Sequence, residues 1–132
     1  MEREVKTYVL KRPTEEAVPR TLSIDYAAAL NPQQLAAVTA GDGPSLVIAG
    51  AGSGKTRTLV YRVAYLIDSG VDPSNILLLR CTRKSAQEML ARASELIGMS
   101  SHRVCGGTFH SVANLLRRRY GRSIGIEPGF TI

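Results

Sequence analysis

The stretch AGAGSGKT, residues Ala49–Thr56, decides how the rest of the 132-residue chain is interpreted. It matches the pattern G-x-x-x-x-G-K-[ST], except that Ala49 stands at the first glycine position. Gly50, Gly52 and Gly54 allow positive φ angles, which let backbone amides turn inward around a phosphate group. The stretch therefore predicts a phosphate-binding loop between a strand and a helix.

Two side chains at the end of this loop carry the predicted chemistry. Lys55 would reach the β and γ phosphates of a nucleotide, and the Thr56 hydroxyl would bind Mg²⁺. The following helix adds the positive end of its dipole. A glycine-rich turn without a ligand is the alternative, which the strand–loop–helix context disfavours. The loop alone does not identify the nucleotide or the reaction, because kinases, GTPases, transporters and motors all contain it.

The elements around the loop alternate between strands and helices. An apolar run at Ser45–Ala49 predicts a buried strand before the loop, and apolar spacing predicts a helix over Lys55–Asp68 after it. Upstream, Asn31 followed by Pro32 predicts the start of a helix over Pro32–Thr39. The downstream elements are strands at Ile76–Arg80 and Arg103–Gly106, helices at Lys84–Ile97 and Phe109–Tyr120, and a strand beginning at Phe130–Ile132. This alternation predicts an α/β fold, a parallel sheet with flanking helices.

Composition excludes several classes of protein. Hydrophobic residues make up 44% of the chain and charged residues 21%, as in globular proteins and unlike disordered or fibrous ones. No apolar run is long enough to span a membrane, and no secretory-signal pattern is present. Two cysteines are too few for a disulfide scaffold and indicate a reducing compartment. We therefore expect a cytoplasmic protein with no membrane partner.

The net charge of +6 lies in the second part of the chain. Residues 1–79 carry eight basic and eight acidic side chains. Residues 80–132 carry nine basic and three acidic ones, a difference that equals the whole net charge. Such an excess is typical of a protein that binds a polyanion, and a solvated basic face is the alternative. Residues 1–29 are predicted to form a poorly ordered or extended tail.

Four sequence blocks resemble one known family. They are LNPQQLAAV (Leu30–Val38), AGAGSGKTRTL (Ala49–Leu59), LLLRCTRKSAQEML (Leu77–Leu90) and GTFHS (Gly107–Ser111). In this order and spacing they are similar to the Q motif and motifs I, Ia and Ib of superfamily 1 DNA helicases of the UvrD/Rep/PcrA type. Alanine is normal at the first position of motif I in that family. The resemblance covers residues 30–132.

The resemblance implies a RecA-like P-loop NTPase fold with three αβα layers. It implies ATP and Mg²⁺ as cofactors, and a parent enzyme that couples ATP hydrolysis to translocation on single-stranded DNA and to duplex unwinding. That activity would have 3′→5′ polarity and serve DNA repair or replication, with the protein on the nucleoid when it acts. Residues 30–132 would be the N-terminal portion of the ATP-binding domain, truncated before the acidic Walker B block. Without those carboxylates and the second RecA-like lobe, we expect weak nucleotide binding and negligible turnover.

The nucleotide contacts implied by the resemblance extend beyond the loop. Gln34 would read the adenine edge with its amide, and the planar guanidinium of Arg57 would lie over the adenine ring. A surface glutamine and a solvated helix arginine are the alternatives at these positions. Lys55 and Thr56 would be the catalytic members of the site. The complete predicted nucleotide set is Gln34, Ala49, Gly50, Ala51, Gly52, Ser53, Gly54, Lys55, Thr56 and Arg57.

Two segments that follow strands are implied to contact single-stranded DNA. The predicted contacts are Thr82, Arg83 and Lys84 after one strand, and Thr108, Phe109 and His110 after the next. Amides, a hydroxyl and two cations at the first segment can hold a phosphate. The chain departs from the family at Cys81, where motif Ia normally has a phenylalanine that packs on bases. Cys81 is either buried or compensated by the charge of Arg80. For Phe109 a core position is the alternative, and for His110 a backbone-bonded helix start.

Three other functions stay open at this level. The chain could be an unrelated P-loop phosphotransferase such as a small-molecule kinase, which the Q block and GTFHS disfavour. It could be the helicase part of a helicase–nuclease repair subunit, which only residues outside this sequence would distinguish. It could also be a nucleic-acid-binding module without catalysis. The cations Arg117–Arg119 suit the end of a helix electrostatically and are not assigned to a site.

Overall fold

The computed structural model describes residues 23–97 and 103–126. In chain order its elements are α1 (Tyr26–Ala29), α2 (Pro32–Val38), α3 (Lys55–Asp68), β1 (Leu77–Arg80), α4 (Arg83–Ile97), β2 (Cys105–Thr108) and α5 (Phe109–Tyr120). Short 3₁₀ turns lie at Pro73–Asn75 and Gly121–Ile124. Within these ranges β1 and β2 form a two-stranded parallel sheet, and the α/β class is confirmed. The strand predicted at Phe130–Ile132 lies outside the described residues.

The helices begin and end close to their predicted bounds because local signals fix them. The Asn31 side chain accepts a hydrogen bond from the Gln34 N–H, and Pro32 occupies the first turn of α2. At α5, Thr108 and Ser111 form a second capping box. No helix in the described ranges is long and apolar enough to cross a membrane.

Two apolar clusters form the core of the described residues. The larger one joins α3, β1, α4 and Val104, and Met89 at its centre is only 1% exposed. The smaller one joins the N-terminal helices to α3 through Tyr26, Leu30, Val38 and Tyr61. α4 packs against both strands and against α3, so one face of the sheet is covered by a helix.

The predicted strand at Ser45–Ala49 is wrong for this structure. The segment forms no strand, and Leu46 and Ile48 are 86% and 89% exposed. A strand forms when its N–H and C=O groups pair with a neighbouring strand. The described sheet contains only β1 and β2, so the apolar run has the composition of a strand without a pairing partner.

The N-terminal tail is also different from the prediction in its last residues. Residues 23–29 contain α1, which Asp25 caps by accepting from the Ala28 N–H. Tyr26 is buried, its ring meets Tyr65 edge-on at 5.4 Å between centroids, and its hydroxyl donates to Asp68 at 3.1 Å. An aromatic ring with a partner for its hydroxyl orders this segment. Residues 1–22 of the predicted tail lie outside the described residues.

β2 lies two residues later than the predicted Arg103–Gly106. Its bounds follow from the register with β1, in which Leu77 pairs with Cys105 and Arg80 with Thr108. The glycines at 106 and 107 have low strand propensity, so the sequence carries little sign of a strand there. Arg103 instead makes an ion pair with Asp72 at 3.2 Å.

Candidate functional site

The loop between residues 49 and 55 is curled by two of its glycines. Gly52 and Gly54 have φ angles of +74° and +82°, whereas Gly50 is not in the positive-φ region. The Ser53 hydroxyl donates to the Gly50 carbonyl at 2.7 Å and closes the turn. α3 then starts at Lys55, and the Gly54 carbonyl accepts the Thr58 N–H at 2.9 Å. The loop therefore leads directly into the N-terminus of a helix of 14 residues.

The Lys55 side chain folds back over the loop that precedes it. Its ammonium donates to the Ala49 carbonyl at 3.1 Å and to the Gly50 carbonyl at 2.6 Å. These carbonyls are neutral acceptors, and a phosphate oxygen would be a stronger, charged one. Thr56 is half-buried in the first turn of α3. A hydroxyl oxygen is a ligand type that suits a magnesium ion on nucleotide phosphates, so the residue type at this position fits the predicted role.

Gln34 contacts the loop directly. Its Nε2 donates to the Ser53 carbonyl at 3.2 Å, and its Oε1 accepts the Asn31 N–H at 3.2 Å. A Cβ atom built on Gly54 would lie 2.7 Å from Gln34 Nε2. The structure thus brings the predicted base-reading glutamine against the phosphate-binding loop.

Arg57 lies in the first turn of α3, and its side chain extends from the loop towards α1 and the groove between α3 and α4. A Cβ on Gly54 would be 4.0 Å from the Arg57 Cβ. The Arg57 guanidinium lies 5.0 Å from the Tyr61 ring centroid and donates to the Ala29 carbonyl at 3.0 Å. It is exposed, so its outer face is open to a stacked base.

A cationic cavity beside the loop was not foreseen from the sequence. It measures about 350 Å³, and its described lining includes Lys55, Arg62 and Arg80 but no carboxylate. Arg62 is anchored by donating to the Val38 carbonyl at 2.6 Å, while the buried Nε of Arg80 has no hydrogen-bond partner. Arg80 is the last residue of β1. Its position at the end of a predicted strand is the only feature of the sequence that points to its role in the cavity. The cavity extends from Lys55, at the end of the glycine-rich loop, to Arg80 at the carboxyl end of β1.

The two predicted DNA-contact segments start at the same edge of the sheet. Arg80 and Thr108 are register partners at the carboxyl ends of β1 and β2, so the residues after them are neighbours. The Thr82 hydroxyl accepts the Ser85 N–H at 3.2 Å, and the Thr108 hydroxyl accepts the Ser111 N–H at 3.1 Å. Both hydroxyls are therefore engaged in helix starts. We call these residues, 80–84 and 108–110, the strand-end rim.

The cations and the aromatic ring on the rim are open to solvent. Arg83, Lys84 and His110 are exposed. Phe109 is 59% exposed, so it is not the core aromatic that the sequence left as an alternative. Cys81 is exposed as well and is not the buried residue that was the alternative there. A charged rim with one free aromatic face is the composition that single-stranded nucleic acid binds.

The structure shows an α/β domain with a glycine-rich loop that leads into α3, and comparison with known proteins identifies its family. The sequence model of the UvrD/REP helicase N-terminal domain matches residues 30–132. This match covers more than half of the chain. The chain belongs to the UvrD/REP helicase N-terminal domain family.

Similar proteins include helicases from staphylococci. The ATP-dependent DNA helicase PcrA of Staphylococcus epidermidis is 47% identical over 104 residues, which are 78% of this chain. PcrA of Staphylococcus aureus is 45% identical over the same length. In both cases the chain spans only 14% of the relative's length. The family membership argues against an unrelated small-molecule kinase.

Proposed function

We propose that this chain is the ATP-binding part of an ATP-driven DNA helicase. The observation that carries the proposal is the loop: two positive-φ glycines lead into α3, and Lys55, Gln34 and Arg57 surround it. In this arrangement the loop amides and Lys55 bind the phosphates, and Thr56 ligates Mg²⁺. Gln34 and Arg57 hold the adenine. The magnesium ion supplies charge neutralisation between the phosphates.

The strand-end rim is the proposed DNA contact. Arg83 and Lys84 neutralise phosphates, and the free face of Phe109 takes a base. Because Lys55 and Arg80 line one cavity, nucleotide at the loop and DNA at the strand-end rim would occupy neighbouring positions. This adjacency gives nucleotide binding a short route to the DNA contact. The substrate is single-stranded DNA, bound without sequence preference.

Residues 30–132 act in this proposal as the first portion of a RecA-like ATP-binding domain. The cationic cavity lacks carboxylates among its described lining residues. Hydrolysis needs a carboxylate to hold magnesium and orient water, and translocation needs a second lobe that closes on the strand. The chain alone therefore binds nucleotide with negligible turnover. In the whole protein we propose 3′→5′ unwinding in repair or replication in the cytoplasm.

Calorimetric titration with Mg-ATP tests the nucleotide assignment. Lys55→Ala should weaken binding by at least about tenfold, because it removes a charged contact to the phosphates. Lys84→Ala is the matched control, since it removes an exposed lysine from the first turn of another helix and should leave the affinity unchanged. Equal weakening by both substitutions, or none by Lys55→Ala, would refute the assignment.

A salt series with labelled single-stranded DNA tests the rim. We expect a dissociation constant of about 10⁻⁴–10⁻⁶ M, in the range of non-specific binding. Arg83→Ala/Lys84→Ala should reduce the slope of log K against log salt by about 1.4, or 0.7 per cation. The control Arg118→Ala/Arg119→Ala removes the same charge near the far end of α5, about 15 Å along the helix. An unchanged slope in the rim variant would show that the rim cations are solvated and do not bind DNA.

A further inference from the structure

We propose that Gln34 is a positioning residue that holds the phosphate-binding loop in its curled shape, independently of any base. The inference deepens the proposed nucleotide site and rests on it. It concerns the polyphosphate part of the ligand, whereas the role implied by the family resemblance concerns adenine. The two roles make different predictions for a ligand that has no base.

The hydrogen bonds of Gln34 fix the orientation of its side-chain amide. Oε1 accepts the Asn31 backbone N–H at 3.2 Å, and Nε2 donates to the Ser53 carbonyl at 3.2 Å. Rotating the amide by half a turn would set oxygen against the Ser53 oxygen and N–H against the Asn31 N–H. Only one orientation satisfies both partners. The helix start of α2 is thereby tied to the loop.

Holding the Ser53 carbonyl also orients the next amide. In a trans peptide the C=O and the following N–H point in opposite directions within one plane. With the Ser53 carbonyl directed at Gln34, the Gly54 N–H is directed away from α2. That amide belongs to the set predicted to face a phosphate. Gln34 therefore sets the direction of a phosphate-binding donor through one peptide plane.

Close packing supports the same role. Gly54 adopts φ +82°, and a Cβ there would come within 2.7 Å of Gln34 Nε2. The side-chain amide of the glutamine thus lies close against the backbone of the loop, where a larger residue at 54 would displace it. This close contact and the hydrogen bond to Ser53 together connect the loop to α2.

The bracing role leaves room for base recognition. A primary amide offers two donors and two acceptor lone pairs, and the contacts to Asn31 and Ser53 use one of each. One donor and one acceptor stay available to the adenine edge. A single side chain can therefore hold the loop and contact the base at the same time.

The test uses Mg-tripolyphosphate, which has the phosphates of ATP and no base. Calorimetric titrations compare wild type with Gln34→Ala and Gln34→Glu. We expect Gln34→Ala to weaken tripolyphosphate binding by about two- to tenfold, the range for one lost hydrogen bond. Gln34→Glu keeps an acceptor for the Asn31 N–H but places a carboxylate oxygen against the Ser53 carbonyl. It should bind at least as weakly as Gln34→Ala.

Two controls separate this role from general helix stability. Asn31→Ala removes the cap of α2 but keeps the backbone N–H that orients Gln34. It should lower the melting temperature and leave tripolyphosphate affinity unchanged. Gln33→Ala, at an exposed position of α2, should change neither quantity.

The outcomes distinguish the positioning role of Gln34 from base recognition, from a general effect on α2 and from failure of the nucleotide site. If Gln34→Ala weakens Mg-ATP and leaves tripolyphosphate unchanged, Gln34 only reads the base and the positioning role is overturned. If Asn31→Ala weakens tripolyphosphate as much as Gln34→Ala, the effect belongs to α2 and the positioning role is also overturned. If wild type binds neither ligand, the nucleotide site itself fails and the positioning role fails with it.

Discussion

The chain contains two successive units, each with an apolar segment, a loop and a helix, and only the second forms a strand from its apolar segment. In the second unit β1 pairs with β2, and Leu78 is 5% exposed beneath α4. In the first unit the corresponding apolar segment leaves Leu46 and Ile48 almost fully exposed. The loop and the helix of the first unit are nevertheless formed, with α3 starting at Lys55.

The difference separates local from non-local determinants of structure. Glycine φ angles and the Ser53 hydroxyl set the turn from within the loop, and Gln34 contacts the loop from α2, 19 residues before Ser53. A strand is set by a partner whose position in the chain can be anywhere. The curled shape of the loop therefore needs no pairing of the segment before it.

The largest expected effect is on the free energy of unfolding, and it should differ between substitutions in the two apolar segments. Leu78→Ala should lower the free energy of unfolding by about 2–5 kcal/mol, because it leaves a cavity in the core. Ile48→Ala should change it by no more than about 0.5 kcal/mol, because that side chain is already solvated. Urea unfolding followed by circular dichroism measures both. A loss of more than 2 kcal/mol for Ile48→Ala would mean that the first segment is buried in solution.

Much of the architecture follows from the sequence, and the exceptions share one cause. Capping residues and apolar spacing predict α2, α3 and α5 to within a residue or so. The position of β2 and the unpaired state of 45–49 depend on strand partners, which no local pattern reveals. In the site, the glycine loop with Lys55 follows from spacing, and Gln34 from the family resemblance. Arg62 is held in the cavity lining by its hydrogen bond to the Val38 carbonyl. This is a tertiary contact, which no local pattern in the sequence predicts.

The next effect compares two glycines within the first loop. Gly54→Ala should cost about 1–3 kcal/mol, because φ +82° is strained for alanine, and its Cβ would displace the Gln34 side-chain amide from the loop. It should also weaken Mg-ATP binding. At Gly50 a Cβ would meet nothing within 4 Å and φ is not positive, so Gly50→Ala is the matched control. Thermal unfolding and calorimetry of both variants measure the contrast, which fails if the two behave alike.

The smallest expected effect on stability concerns Asp68, the last residue of α3, where the first unit ends. Burial disfavours the ionised Asp68 carboxylate, but hydrogen bonds from the Ser23 N–H and the Tyr26 hydroxyl outweigh it and lower its pKa from 3.8. A pKa that is lower in the folded state stabilises the protein above pH 3.8, and this stability is lost as the pH falls through the folded value. Tyr26→Phe should therefore cost about 0.5–1.5 kcal/mol at pH 7 and less at pH 3. Melting temperatures at the two pH values measure this. An equal cost at both would show that Asp68 does not contribute through its charge.

The most direct test of the nucleotide site is a titration of the isotopically labelled chain with Mg-ATP, followed by backbone amide NMR. The account predicts that the largest shifts fall on Gly52, Gly54, Lys55 and Thr56, and that Lys55→Ala abolishes most of them. The loop of the second unit, at Cys81 and Thr82, should shift little. Shifts that centre instead on the groove between α3 and α4, at Arg92 and Glu95, would contradict the account. So would an unchanged spectrum at saturating Mg-ATP.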